Sequence, residues 1–178
     1  MRQASRRDAW PQGGDDRLLL PMLAADLDAV MAIEVGVYAF PWTRGNFIDS
    51  LAAGYTAQVL RRASDHTLIG YCVAMAGADE MHLLNITVAP AHRQRGHARF
   101  LVDDLLVRCR AGHASRVWLE VRESNASARA AYLRLGFREE GVRPGYYPAA
   151  HGRREDAVVM SLTLAERPGG DADSHGVD

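Results

Sequence analysis

The stretch from residue 80 to residue 121 constrains the fold more than any other part of the chain. "EMHLLNITV" (80–88) is an apolar strand pattern that stops before Pro90. A turn, "HRQRG", comes next. Ala98, Leu101, Val102, Leu105, Leu106 and Cys109 then recur at spacings of three and four, the signature of an amphipathic helix, which should close near Gly112. "RVWLEV" (116–121) alternates as a second strand. A strand, a helix and a strand in this order make a βαβ unit. A sheet built around it is mixed, so the fold class is α/β, a sheet covered by helices.

The flanking elements fit that frame. "RLLLPM" (17–22) reads as a first strand, and 24–38 as a helix with Leu27, Val30, Met31 and Glu34 near helical spacing. "FPWT" (40–43) interrupts it, and a second helix runs through Leu51. Residues 56–62 and 67–76 read as a hairpin around "ASDH". After residue 121, "SARAAYLRLGF" is a short helix stopped by Gly136, and strands over 138–142 and 155–163 flank a loop, "RPGYYPAAHGRRE". The predicted order is close to βααββββαβαββ. Residues 1–16 and 165–178 are rich in Gly, Asp, Pro, Ser or Arg without a period and read as flexible tails around one domain, 17–164.

Composition removes several function classes. A length of 178 residues suits one domain with a real core, and a formal net charge of −1 is ordinary for a soluble protein. There is no apolar run long enough for a transmembrane helix, and the basic start lacks an apolar signal core. Cys72 and Cys109 fall inside a predicted strand and helix, where buried thiols are expected rather than a disulfide. These features favour the cytoplasm. The chain contains no lysine, which excludes a phosphate-loop NTPase, a Schiff base and a lysine nucleophile.

Positive charge and one glycine crowd the point where the strand of 80–88 gives way to a helix. A helix start leaves N–H groups unpaired and carries roughly half a positive charge, so it attracts anions. Gly96 lets backbone approach a bulky anion, and Arg93, Arg95 and Arg99 can neutralise one. The predicted guest is a phosphate; a solvated basic turn is the plainer alternative. The dinucleotide pattern G-x-G-x-x-G is absent. His92 and His97 have no supporting Cys/His cluster, so no metal is expected, and no long basic stripe points to nucleic acid.

Arg93-x-x-Gly96-x-Ala98 at a strand–helix junction resembles the coenzyme A pyrophosphate loop of the GCN5-related N-acetyltransferases (GNAT), which usually reads Q/R-x-x-G-x-G/A. "AFPWT", "LLNITVAP", "WLEVRESNASARAAYLRLGF" and "GYYP…GRREDAVVM" extend the similarity over about residues 17–164, toward the bacterial ribosomal-protein-alanine N-acetyltransferases. One departure is Ala98, where that subfamily more usually has glycine. The resemblance implies a sheet of six to seven strands with a splayed parallel pair and about four helices. It implies acetyl-CoA as cosubstrate, no metal, and a ribosomal-protein N-terminus as acceptor, with a monomer as the working expectation and neither nucleic acid nor membrane as partner.

The residues themselves leave alternatives open. In "VWLEVR", Glu120 shares a strand face with Trp118 and Arg122, and either meets solvent or sits in a semi-apolar cleft where desolvation would make it a better base. Asn125 and Tyr132 lie two helical turns apart, about 10 Å, on one face; an N-cap and a core aromatic are their plainer readings. The resemblance assigns Glu120 as general base, Tyr132 to the departing sulfur and Asn125 to the cofactor. It gives the pyrophosphate to Arg93, Gln94, Arg95, Gly96, His97, Ala98 and Arg99, and the thioester carbonyl to backbone N–H groups of Ile86, Thr87 and Val88. Trp42, Tyr146 and Tyr147 either wall the acceptor cleft or simply pack. A small-amine acetyltransferase acting on an antibiotic or polyamine, and a non-catalytic acetyl-CoA-binding module, are the competing functions.

Overall fold

Seven strands form one sheet in the order β1-β2-β3-β4-β5-β7-β6. The computed structural model describes residues 16–164, so the expected tails, apart from Asp16, lie outside the described residues. In chain order the elements are β1 (Arg17–Pro21), α1 (Leu27–Val37), α2 (Arg44–Ala52), β2 (Thr56–Arg62), β3 (Leu68–Ala76), β4 (Glu80–Val88), α3 (His97–Ala111), β5 (Arg116–Arg122), α4 (Ala126–Arg134), β6 (Arg138–Pro148) and β7 (Arg154–Thr163). Three strands separate α2 from α3, one fewer than the predicted order, because each of the three apolar runs there yields a single strand.

The sheet is antiparallel except for β4 and β5. That parallel pair is short: Glu80 faces Arg116 and the register ends at Leu83 opposite Leu119. Beyond it the two strands splay.

Each face of the sheet buries one core. On one side α3 sets Leu101, Val102, Leu105 and Cys109 against Cys72, Met81, Leu83, Val117 and Leu119. These are the three-and-four positions read from the sequence. On the other side Leu27, Val30 and Phe47 from α1 and α2 cover Val59, Tyr71 and Val73. Burying one such side chain stabilises the fold by about 1.5–3 kcal/mol, so either layer alone is substantial. Both cysteines are free and buried, and burial pushes the Cys72 thiol up to about 12.

Two local irregularities redirect side chains within the sheet. In β4, Val73 pairs with Asn85 while Ala74 pairs with Leu83, so Leu84 is an extra residue. This bulge reverses the alternation: Met81 and Leu83 point to the α3 core before it, Ile86 and Val88 after it. Asn85 and Thr87 are thereby turned to the α1 side. In β6 the strand runs on to Pro148, past the residue 142 expected as its end. Gly145 adopts φ 58 and donates its N–H to Asp156 Oδ1 at 2.7 Å, and Arg154 Nη2 donates to the Tyr146 carbonyl at 2.8 Å. Pairing then resumes at Tyr147 opposite Glu155. What reads as a loop is a bulged strand.

No helix among the described residues is long and apolar enough to cross a membrane.

Candidate active site

Where β4 and β5 part, a cleft of about 650 Å³ opens between β4, the turn before α3, and α4. Ile86, Thr87 and Val88 line it from β4. Since β5 stops pairing with β4 at Leu83, this edge of the strand faces the opening rather than a neighbouring strand.

The turn between β4 and α3 is built for close approach. Gln94 has φ 59 and Gly96 φ 76, two left-handed residues within three positions. A Cβ on Gly96 would meet nothing within 4 Å, so space is not the constraint; the positive φ is. Gly96 is also the N-cap of α3, and no side chain caps that helix. Its first N–H groups therefore have no intrahelical acceptor. Arg93, Gln94, Gly96, His97, Ala98 and Arg99 all line the cleft around this start. Arg93 Nε donates to the Val88 carbonyl at 3.2 Å, which ties the turn to the end of β4. Arg95 points elsewhere, into a separate cavity of about 220 Å³ shared with Asp16, Arg17 and Arg62. Among the described residues no group of three or more His, Cys, Asp or Glu is placed to hold a metal ion. An unplugged, left-handed turn flanked by arginines at the mouth of a splayed strand pair fits an extended ligand with a phosphate end, as acetyl-CoA is.

The opposite wall is α4. Asn125 is its N-cap, accepting from the Ala128 N–H at 3.1 Å, and it lines the cleft at the same time, so the plainer reading and the site reading coexist. Two turns on, Tyr132 packs its ring on Phe137 at 5.6 Å and opens to the cleft. Its hydroxyl meets no hydrogen-bond partner among the described residues. Burial raises its phenol above the ordinary range, with the phenols of Tyr38 and Tyr147 adding to the shift.

Glu120 is not among the residues that line this cleft; it lies on the sheet face opposite α3. Burial alternates along β5, with Val117, Leu119 and Val121 buried and Trp118, Glu120 and Arg122 on the other face, as the strand pattern predicts. Its carboxylate meets Arg143 at 3.4 Å and its carbonyl accepts from the Tyr147 hydroxyl at 2.9 Å. Tyr146 and Tyr147 pack edge to face at 4.9 Å. Arg122, to which the sequence alone assigns no role, joins this group: its guanidinium lies 4.5 Å from the Tyr147 ring, 5.4 Å from Phe40, and 3.0 Å from Glu155. It thereby links the loop of residues 40–43 to β6 and β7. Trp42 is anchored inward, its ring 5.2 Å from Phe47.

A buried polar chain has no counterpart in the sequence patterns. Glu34, 1% exposed, accepts from the Trp42 backbone N–H at 2.8 Å, from the Tyr71 hydroxyl, and from Asn85 Nδ2 at 3.3 Å. Thr87 Oγ1 donates to Asn85 Oδ1 at 3.1 Å, and Tyr38 stands 2.9 Å from Thr87 Oγ1. Tyr38 and Thr87 line the cleft, so the chain runs from the cleft to the loop of residues 40–43. The one available signal is a glutamate on the apolar stripe of α1.

Comparison with known proteins agrees with this geometry. Residues 27–137 match the family model described as "Acetyltransferase (GNAT) family". The ribosomal protein bS18-alanine N-acetyltransferase of Salmonella typhimurium is 36% identical over 140 residues, which span 79% of this chain and 93% of that relative. The chain belongs to the GNAT acetyltransferase family. Among solved structures, the ribosomal-protein-S18-alanine N-acetyltransferase from Escherichia coli matches this GNAT chain with a TM-score of 0.77 at 32% identity, over 88% of this chain and 97% of that one. The yncA structure from Salmonella typhimurium, solved with its cofactor acetyl-CoA, shares the fold with a TM-score of 0.69 at 21% identity, over 89% of this chain and 99% of that one. The parallel pair, the four helices and the seven strands are those expected of a GNAT enzyme.

Proposed function

We propose that this GNAT enzyme acetylates the N-terminal alanine of a ribosomal protein of the bS18 type, with acetyl-CoA as donor, in the cytoplasm, and that residues 17–164 are its catalytic domain. The observation that carries the substrate is the extent of likeness: a relative bearing that activity in its name matches over 93% of its own length and 79% of this chain.

Acetyl-CoA would supply an acetyl group activated as a thioester. In this reading the Gly96 turn and the uncapped start of α3 hold its phosphates, with Arg93 and Arg99 neutralising charge, and Asn125 adds a polar contact from α4. Backbone N–H groups of β4 at 86–88 steady the negative charge that builds on the carbonyl oxygen. Glu120 takes a proton from the attacking amine, directly or through water. The task is mild, since a free α-amine has a pKa near 8 against about 10.4 for lysine.

Tyr132 faces the departing sulfur. A phenol near 10 giving its proton to a thiolate near 8.5 is uphill by roughly 2 kcal/mol. Burial raises this phenol further, so Tyr132 acts as a hydrogen-bond donor rather than a full acid. Trp42, Tyr146 and Tyr147 wall the acceptor side, with Arg122 between Phe40 and Tyr147.

The deciding experiment is acceptor choice. A synthetic peptide beginning Ala-Arg, with a lysine further along, competes against spermidine and an aminoglycoside, and mass spectrometry locates the acetyl group. Acetyl on the terminal alanine is the expected result. Acetyl on the internal lysine, or faster turnover of either small amine, would overturn this substrate.

A further inference from the structure

Hydrogen-bond direction along the buried chain fixes which way Tyr38 points its proton. The Trp42 backbone N–H can only donate, and it donates to Glu34 Oε1; the Tyr71 hydroxyl donates to Oε2. A carboxylate so placed accepts, so Asn85 turns Nδ2 toward it, at 3.3 and 3.4 Å. That leaves Asn85 Oδ1 facing Thr87, and Thr87 Oγ1 must spend its one hydrogen there, at 3.1 Å. The remaining contact, 2.9 Å between Thr87 Oγ1 and the Tyr38 hydroxyl, then has Tyr38 as donor. The only other partner of that hydroxyl among the described residues is the Ile86 carbonyl at 3.4 Å, which is also an acceptor. Either way the Tyr38 proton points inward. Burial raises its phenol, so the oxygen keeps that proton.

A hydroxyl whose hydrogen is committed inward presents only lone pairs outward. Tyr38 lines the cleft beside Ile86 and Thr87, and it sits two residues before Phe40, at the start of the acceptor loop. Glu34 holds that same loop through Trp42. We infer that the Tyr38 oxygen accepts a hydrogen bond from the primary amine of the acceptor, and that the Glu34–Asn85–Thr87 chain sets this polarity. The inference deepens the acetyltransferase reading and rests on it. Tyr132 and Tyr38 then do opposite things in one cleft: one hydroxyl is free to donate, the other is held to accept.

The test separates polarity from mere packing. Tyr38→Phe removes the oxygen and keeps the ring. With the Ala-Arg peptide, its acceptor KM should rise about tenfold, and calorimetry of the peptide with the protein–CoA complex should show the same weakening. The Kd for acetyl-CoA should stay within about twofold. Thr87→Val leaves Tyr38 in place but removes the nearer of its two inward acceptors, with the Ile86 carbonyl remaining, so peptide affinity should fall in the same direction but by less. The double variant should be no weaker than Tyr38→Phe alone, because both changes act on one contact.

Unchanged peptide affinity in Tyr38→Phe, additive losses in the double variant, or an equal loss of acetyl-CoA affinity would each overturn the inference; the last would put Tyr38 on the amide groups of the cofactor. Turnover by the unaltered enzyme judges the substrate separately. If that enzyme acetylates a different amine, the same variant ratios are read with that amine.

Discussion

Glu120 and Arg143 reach over β7 to meet each other, Oε1 to Nη1 at 3.4 Å, from strands that are not neighbours in the sheet. The glutamate side chain is 10% exposed and the arginine 52%. The carboxylate is thus enclosed, while its partner is half in solvent and free to move aside. Replacing Arg143 with Gln should change stability in denaturant by less than about 1 kcal/mol, since a half-exposed pair is screened.

Glu120→Gln keeps the shape and removes the proposed base. kcat/KM for the peptide should fall about 100-fold at neutral pH. The deficit should shrink as pH rises past about 8, where the α-amine deprotonates unaided. Wild-type rates in this variant at neutral pH would take Glu120 out of the mechanism.

Gly96→Asp tests the turn. The side chain would bring a negative charge to the turn proposed to hold the phosphates, on a backbone held at φ 76. Affinity for acetyl-CoA should fall at least tenfold, about 1.4 kcal/mol, with circular dichroism unchanged. Calorimetry giving the wild-type Kd would remove the phosphates from this turn.

Tyr132→Phe should lower kcat while leaving the Kd for acetyl-CoA nearly as it was, because the ring still packs on Phe137 and only the donor is lost. A matching rise in that Kd would mean the hydroxyl binds the cofactor rather than serving the reaction.

Glu155 offers a pH prediction. Its carboxylate accepts from the Ser124 N–H at 2.8 Å and pairs with Arg122, and the Ser124 bonds, then Arg122, hold its pKa below the usual range. A depressed carboxyl contributes stability above its unfolded pKa and loses it as pH falls through the folded one. Thermal melts from pH 7 downward should therefore decline less steeply in Glu155→Gln than in the unaltered protein. Parallel curves would show that this pair adds nothing to acid sensitivity.

The parts of the site that obey local rules were legible in the sequence. Strict alternation in β5 put Glu120 on its face, and a glycine at a strand–helix junction with arginines on both sides marked the turn. Gly145 concealed the reach of β6, because Pro144 and Gly145 signal a loop to any local reading. Only Asp156 and Arg154, distant in sequence, convert that signal into a bulge. Glu34 was visible as an oddity on an apolar stripe, but its three donors come from α1's far loop, β3 and β4, and no spacing rule relates them. Tyr38 obeys the same logic: its role comes from Thr87, 49 positions away.

Leu84 gives β4 one residue of slack. A single strand first serves the packing under α3 and then, past the extra residue, turns Asn85 and Thr87 to the other side. Taking Leu84 out would leave Leu83 and Asn85 in plain alternation, with Ile86 and Thr87 still on their present sides. A second residue lost from the strand would have no such cushion. Every position beyond it would then trade sides, sending Thr87 into the apolar layer and Ile86 toward Tyr38.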